Sequence, residues 1–155
     1  MPAGVSYPCV AKPVTLSASR GVIRANNDQE LVSALARISK IIESAGPEHP
    51  RVGLIEEYIP GSEYVVEGLL EMGKWRTIMI FSKPDPLNGP FFEETIYIAP
   101  PSLQSGVEQE MTDNVRAACA AYGLEHGPVH AECRINEGGV WLIELAPRTI
   151  GGKCS

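Results

Sequence analysis

The chain has 155 residues, enough for one compact domain or two small lobes. Its apolar content is 44% and its charged content 21%, ordinary proportions for a globular protein. The net charge of -6 argues against the broad basic surface that non-specific nucleic-acid binding requires, but leaves room for a local cationic pocket.

The four cysteines, Cys9, Cys119, Cys133 and Cys154, have the spacing of neither a zinc site nor a redox pair. Three of them lie in apolar patterns, where a thiol serves as a small core residue. That usage, with no basic and apolar leader at Met1, predicts a reducing, cytoplasmic setting. No apolar run is long enough to cross a bilayer, so neither a membrane nor a nucleic acid is an expected partner.

Residues 7–12 read as a strand stopped by Pro13, and residues 16–21 as a loop of small residues. A helix follows, with Asn27 as N-cap and Glu30 three residues on, the pattern of a capping box. Leu31, Leu35, Ile38 and Ile42 make its apolar face, and Gly46-Pro47 ends it. Residues 51–59 form a strand that runs into Pro60-Gly61, a candidate pivot.

Residues 63–70 and 75–81 then read as a hairpin turning at 72–74. A loop dense in turn residues, 83–90, leads to a strand expected over 91–99. Ser105 and Glu108 resemble a second capping box, opening a helix with a stripe of Val107, Met111, Val115 and Tyr122 that ends at Gly123. Residues 129–136 and 140–145 flank Glu137-Gly138-Gly139 as a final hairpin. Adjacent hairpins and a majority of strands favour an α+β fold over a doubly wound sheet.

The final hairpin carries the most chemical information. Alternation puts His130, Glu132, Arg134 and Asn136 on one strand face. A three-residue turn at 137–139 pairs Asn136 with Val140, Arg134 with Leu142 and Glu132 with Glu144. Two carboxylates roughly 5 Å apart at Cβ repel unless a cation lies between them. Mg²⁺, which takes one or two carboxylates plus phosphates and water, meets that need. Two other readings stay open: Arg134 pairing with either glutamate, and a two-residue turn that separates them. His130 taken alone reads as a hydrogen-bonded strand residue.

Three segments together resemble the ATP-grasp superfamily: residues 7–22, residues 54–67, and residues 127–152. They span nearly the whole chain in that family's order. The resemblance implies an ATP-grasp fold of two small α+β lobes, expected over residues 1–58 and 59–155, with a largely antiparallel sheet in the second. It implies an ATP- and Mg²⁺-dependent ligase (Mn²⁺ being an alternative ion) that converts a small carboxylate substrate into an acyl-phosphate for attack by an amine or similar nucleophile. It also implies an upstream domain that helps bind substrate. The alternatives from other classes are a nucleotide-binding module without turnover and an interaction domain without nucleotide.

The same resemblance implies roles for individual residues. Lys12 would reach the nucleotide, where the other reading is a solvated lysine at a strand end. Ser17, Ser19 and Gly21, with Arg20, would fold over the phosphates. Glu57, Tyr58 and Ile59 would lie beside adenine, and Glu63 would accept from the ribose hydroxyls. Glu132 and Glu144 would hold the metal, and Arg148 a phosphate. Ala146 stands where many members of the family carry a further metal-binding Asn. Lys83, Glu93 and Glu94 would border the acceptor site, where a charged loop is the other reading.

Overall fold

The computed structural model describes residues 4–92 and 96–151. Glu93, Glu94, Gly152 and Cys154 therefore lie outside the described residues. The chain divides into two compact units: Met1–Ile59 with Leu87–Glu94, and Pro60–Pro86 with Thr95–Ser155. The fold is α+β, with one antiparallel sheet in each unit. No helix among the described residues is long and apolar enough to cross a membrane.

In the first unit, β1 (Cys9–Pro13), β2 (Ile23–Ala25) and β3 (Gly53–Glu57) form an antiparallel sheet of order β2-β1-β3. Helix α1 (Asp28–Ala45) packs on it. Asn27 is its N-cap and accepts from the Glu30 backbone N–H at 3.0 Å. The Glu30 carboxylate reaches one residue further back than a capping box requires, accepting from the Asn26 N–H at 2.9 Å. Leu31, Ala34, Ile38 and Ile42 are buried against Cys9, Ala11, Ile23 and Ala25. Leu35, expected on that face, is only half-buried, because the contact stripe runs through the smaller Ala34. Each fully buried large aliphatic in this seam contributes roughly 1.5–3 kcal/mol.

In the second unit, β4 (Ser62–Glu71), β5 (Lys74–Lys83), β6 (Gly127–Asn136) and β7 (Gly139–Ala146) form a sheet of order β5-β4-β6-β7. The β4–β5 turn is Met72-Gly73, both at positive φ (49° and 72°), the backbone of a two-residue hairpin loop. Helix α2 (Val107–Ala121) covers one sheet face through Met111, Val115 and Cys119. Beneath them lie Val66, Leu70, Ile80, Val129, Ala131 and Cys133.

Three expectations change here. Gly106, at φ 87°, is the N-cap of α2 and no side chain caps the helix, so Ser105 sits one residue too early for a capping box. Tyr122 is the C-cap and 75% exposed, leaving Cys119 to complete the stripe. The strand expected over 91–99 does not form among the described residues. Instead Phe91 bridges Ile23 in the first unit, and Ile98 bridges Ser82 in the second. The described ends of that segment take different partners.

Candidate functional site

The face of the second sheet turned away from α2 is built from charged rows. Alternation along β4 presents Glu63, Val65 and Glu67, while β6 presents Arg134, Glu132 and His130. The registers align these into Lys83–Glu63–Arg134, Phe81–Val65–Glu132–Glu144, and Met79–Glu67–His130–Ala146. A strand pattern that alternates apolar and charged residues thus buries its apolar side under α2 and concentrates its charges on the other face.

Glu132 faces Glu144 by a route the sequence did not suggest. The hairpin turn has two residues, not three, since Asn136 pairs with Gly139 and Arg134 with Trp141. Continued unbroken, that register would set Ile143 opposite Glu132. A bulge between Glu132 and Cys133 leaves Ile143 out of the ladder and returns Glu144 to its place.

The first row is an ion-pair core. Lys83 Nζ donates to Glu63 Oε1 at 2.7 Å and to Glu132 Oε1 at 2.8 Å. Arg134 donates to Glu63 Oε2 from Nε at 2.9 Å, with Nη2 2.8 Å from the same oxygen. The side chains of Lys83, Arg134 and Glu63 are 2%, 4% and 7% exposed. Tyr97 lies over this corner, its ring 5.6 Å from the Lys83 ammonium and edge-on to Phe81. Burial works against the Lys83 charge, but the carboxylates of Glu132 and Glu63 prevail and raise its pKa.

The second group centres on His130, which pairs through Nδ1 with Glu67 and lies 3.4 Å through Nε2 from Glu132 Oε1. Burial lowers its pKa, yet the hydrogen bonds and charges of Glu132 and Glu67 outweigh burial and raise it to about 9. Burial likewise opposes ionisation of Glu132, and the bonds from His130 and Lys83 hold its carboxyl well below the usual range. The other Glu67 oxygen accepts the Ile150 N–H at 3.1 Å, tying the segment after β7 to this group. Arg148, on that segment, has Nη2 4.0 Å from Glu144 Oε1. Glu144 and Arg148 are 45% and 41% exposed.

Several expectations are corrected by this geometry. Lys83 is not part of an open charged loop; it ends β5 and is buried. Arg134 pairs with the buried Glu63 carboxylate. Glu63, expected at a ribose, has both oxygens engaged by Lys83 and Arg134. Glu67 went unremarked in the sequence, although its two-residue offsets from Val65 and Glu63 place it on the charged face. Lys83 gave no comparable signal, because its place opposite Glu63 depends on the register shift between Glu67 and Gly68 inside the β4–β5 hairpin.

In the first unit, Lys12 points away from the α1 side of β1 and pairs with Glu56 at 2.5 Å. The loop holding Ser17, Ser19 and Gly21 is tightly turned, with Ala18, Ser19 and Gly21 all at positive φ. Its Arg20 and Val22 N–H groups bond back to Ser17 and Ser19 carbonyls. Strand β3 ends at Glu57. Tyr58 is buried with Leu87 and Phe92, under the Arg24 guanidinium at 4.1 Å, and donates to Asn88 Oδ1 at 3.2 Å. Its side chain therefore belongs to the core, while Ile59 is half-buried.

Known proteins resemble this arrangement across nearly the whole chain. Carnosine synthase 1 of Gallus gallus is 28% identical over 155 residues, covering 96% of this chain and 16% of that protein. Dapdiamide A synthase of Enterobacter agglomerans is 28% identical over 147 residues, covering 94% and 34%. D-alanine--D-alanine ligase of Pseudomonas entomophila is 26% identical over 150 residues, covering 92% and 43%. Among solved structures, an L-amino acid ligase from Bacillus licheniformis matches with a TM-score of 0.76 at 34% identity, covering 96% of this chain and 33% of that one. Biotin carboxylase from Campylobacter jejuni matches with a TM-score of 0.76 at 17% identity, a likeness of fold. The chain spans less than half the length of each of these curated relatives. A family model described as an ATP-grasp domain matches residues 5–155, and the chain belongs to that family.

Proposed function

We propose that this chain is the ATP- and Mg²⁺-binding core of a ligase that activates a carboxylate as an acyl-phosphate for attack by an amine. The observation that carries this reading is the Glu132–Glu144 pair, held in register on the charged face of the second sheet. The relatives support the substrate class, since three are named as an L-amino acid ligase, a D-alanine--D-alanine ligase and a carnosine synthase. An upstream substrate-binding domain is part of the reading. The free, buried thiols of Cys9, Cys119 and Cys133 support a cytoplasmic setting.

The donors present suit a hard divalent ion. Glu132 and Glu144 supply carboxylate oxygens, and no group of three or more His, Cys, Asp or Glu forms a cage among the described residues. Such an open donor set suits Mg²⁺, which completes its shell with phosphate oxygens and water. When bound, the ion neutralises charge on the transferring phosphoryl group.

The remaining roles belong to the chain's own side chains. In the second unit, Arg148 offers a planar fork to an anionic oxygen. Glu67 and His130 position Glu132 and the segment that carries Arg148. In the first unit, Lys12 exchanges its Glu56 partner for a nucleotide oxygen, and Ser17, Ser19 and Gly21 present backbone donors to phosphate. Glu57 and the backbone of Tyr58 and Ile59 meet the adenine edge. Glu63 is a buried counter-ion to Lys83 and Arg134, and it would need to release one of them to accept from a ribose hydroxyl.

Calorimetric titration with Mg·ADP tests the reading. Wild type is expected to bind, and Lys12→Ala and Glu144→Ala to bind more weakly. Folded wild type that takes up no nucleotide would overturn it. Phosphate release across a panel of amino-acid pairs then separates turnover from binding alone.

A further inference from the structure

One flank of α1 and residues 88–91 form the two walls of a groove within the first unit, about 1050 Å³ in volume. That is the upper end of the size of small-molecule sites, roughly 300–1,000 Å³. The second wall is held firmly to β2. The Arg24 N–H donates to the Pro90 carbonyl at 2.9 Å, and Arg24 Nη1 donates to the Asn88 carbonyl at 2.8 Å. Phe91 bridges Ile23 beside them. On the α1 wall the small side chains of Ser33 and Ala36 leave the space open.

Arg37 reaches from one wall to the other, its guanidinium lying over the Phe91 ring at 4.8 Å from the centroid. The ring meets the charge but accepts no ordinary hydrogen bond, so the guanidinium donors still call for an acceptor. Lys40 lines the same groove one turn further along α1. No ion pair or side-chain hydrogen bond joins Arg37 or Lys40 to another described residue. Like charges a turn apart on a helix disfavour each other until an anion lies between them. The Glu30 carboxylate, which also lines the groove, is committed elsewhere: it accepts from the Asn26 N–H, from Asn26 Nδ2 and from Asn27 Nδ2.

We propose that this groove binds a small phosphorylated molecule, with the phosphate between the Arg37 guanidinium and the Lys40 ammonium. A planar fork beside a point charge matches a phosphate dianion, where a carboxylate would need only one of the two. The volume of the groove sets the ligand at the size of a metabolite. No residue of the groove has a role in the nucleotide and metal reading above, so each of the two inferences can fail without the other.

Ribose 5-phosphate is the probe, titrated at constant ionic strength into isotope-labelled protein and followed by NMR. Saturating shifts are expected at the Arg37 Nε–H and at the backbone amides of Ser33 and Lys40, with a Kd near or below about 1 mM. Ribose should produce none of them, and inorganic phosphate should compete at the same residues. Both cations are exposed and glutamine is a good helix former, so Arg37→Gln/Lys40→Gln should keep its circular dichroism. It should bind the probe about tenfold more weakly, or worse. Groove shifts that fail to saturate, that ribose reproduces, or that persist at full affinity in the folded double variant overturn the proposal. So does binding confined to residues outside the groove. The comparison of ribose 5-phosphate with ribose in wild type decides the matter even without the variant.

Discussion

Glu144 stands opposite Glu132 because Ile143 is left out of the ladder between β6 and β7. The bulge compensates for the two-residue turn at the hairpin tip. Deleting Ile143 would close the ladder with Glu144 still facing Glu132, since the tip register already sets the next residue there. Mn²⁺ affinity in that deletion is expected to stay within about tenfold of wild type, whereas Glu144→Ala should lose more than the roughly 10–100-fold typical of supporting residues. Loss of binding on deleting Ile143 would show that the bulge's local twist, and not register, forms the site.

Replacing Lys83 by Met should be among the most damaging single changes in the second unit. It leaves Glu63 and Glu132 without the buried ammonium they share, a loss of roughly 3–5 kcal/mol. The Arg51–Glu43 pair, 69% and 64% exposed, is the contrast, and Arg51→Ala should change stability by less than about 1 kcal/mol. Both tryptophans, Trp75 and Trp141, lie in the second unit, so urea unfolding followed by fluorescence reads Lys83→Met, and far-ultraviolet circular dichroism, through helix α1 of the first unit, reads Arg51→Ala. Equal effects for the two substitutions would contradict the burial argument.

The charged face also predicts how stability varies with pH. His130 is raised from 6.5 to about 9, so its contribution is complete below about 6.5 and is lost as pH rises through 9. Glu132 is depressed from 4.5, so its contribution is complete above that value and is lost as pH falls further. The second unit should therefore be most stable at roughly pH 4.5–6.5, as far as these two groups decide. His130→Gln should flatten the alkaline arm, and an imidazole NMR titration should place His130 near 9. A His130 midpoint at or below 6.5 would remove the basis for this pH dependence.

In the first unit, the Asn27 cap is expected to matter by itself. Asn27→Ala removes the acceptor for the Glu30 N–H and should cost about 1 kcal/mol. Asn27→Asp should recover most of it, because a carboxylate also accepts that bond. Thermal unfolding followed by far-ultraviolet circular dichroism provides the measurement. No change in Asn27→Ala would mean that packing of Leu31 and Ile38 alone sets where α1 begins.

The thiols offer a check on both cores. Cys9, Cys119 and Cys133 are all buried, and burial, with the charges of Glu132 and Glu63, pushes the Cys133 thiol up to about 12. Iodoacetamide should modify these three only on unfolding, as peptide mass mapping would show. Rapid labelling of Cys133 in native protein would mean that the β6–α2 seam opens.

Local chemistry was enough to determine α1, its Asn27 cap and the alternation of β6, because caps and strand faces depend on neighbours a few residues away. It also placed Glu132 and Glu144 in the same hairpin. The tertiary structure alone decided that Ile143 bulges, because a bulge is chosen by the packing of both sheet faces at once. It alone decided that Lys83 and Arg134 close on Glu63: the β4–β5 hairpin was legible, but the register shift that sets Lys83 opposite Glu63 was not, and nothing local shows that β6 lies beside β4. A charge's partner is set by lateral strand order, and that order is a property of the assembled sheet.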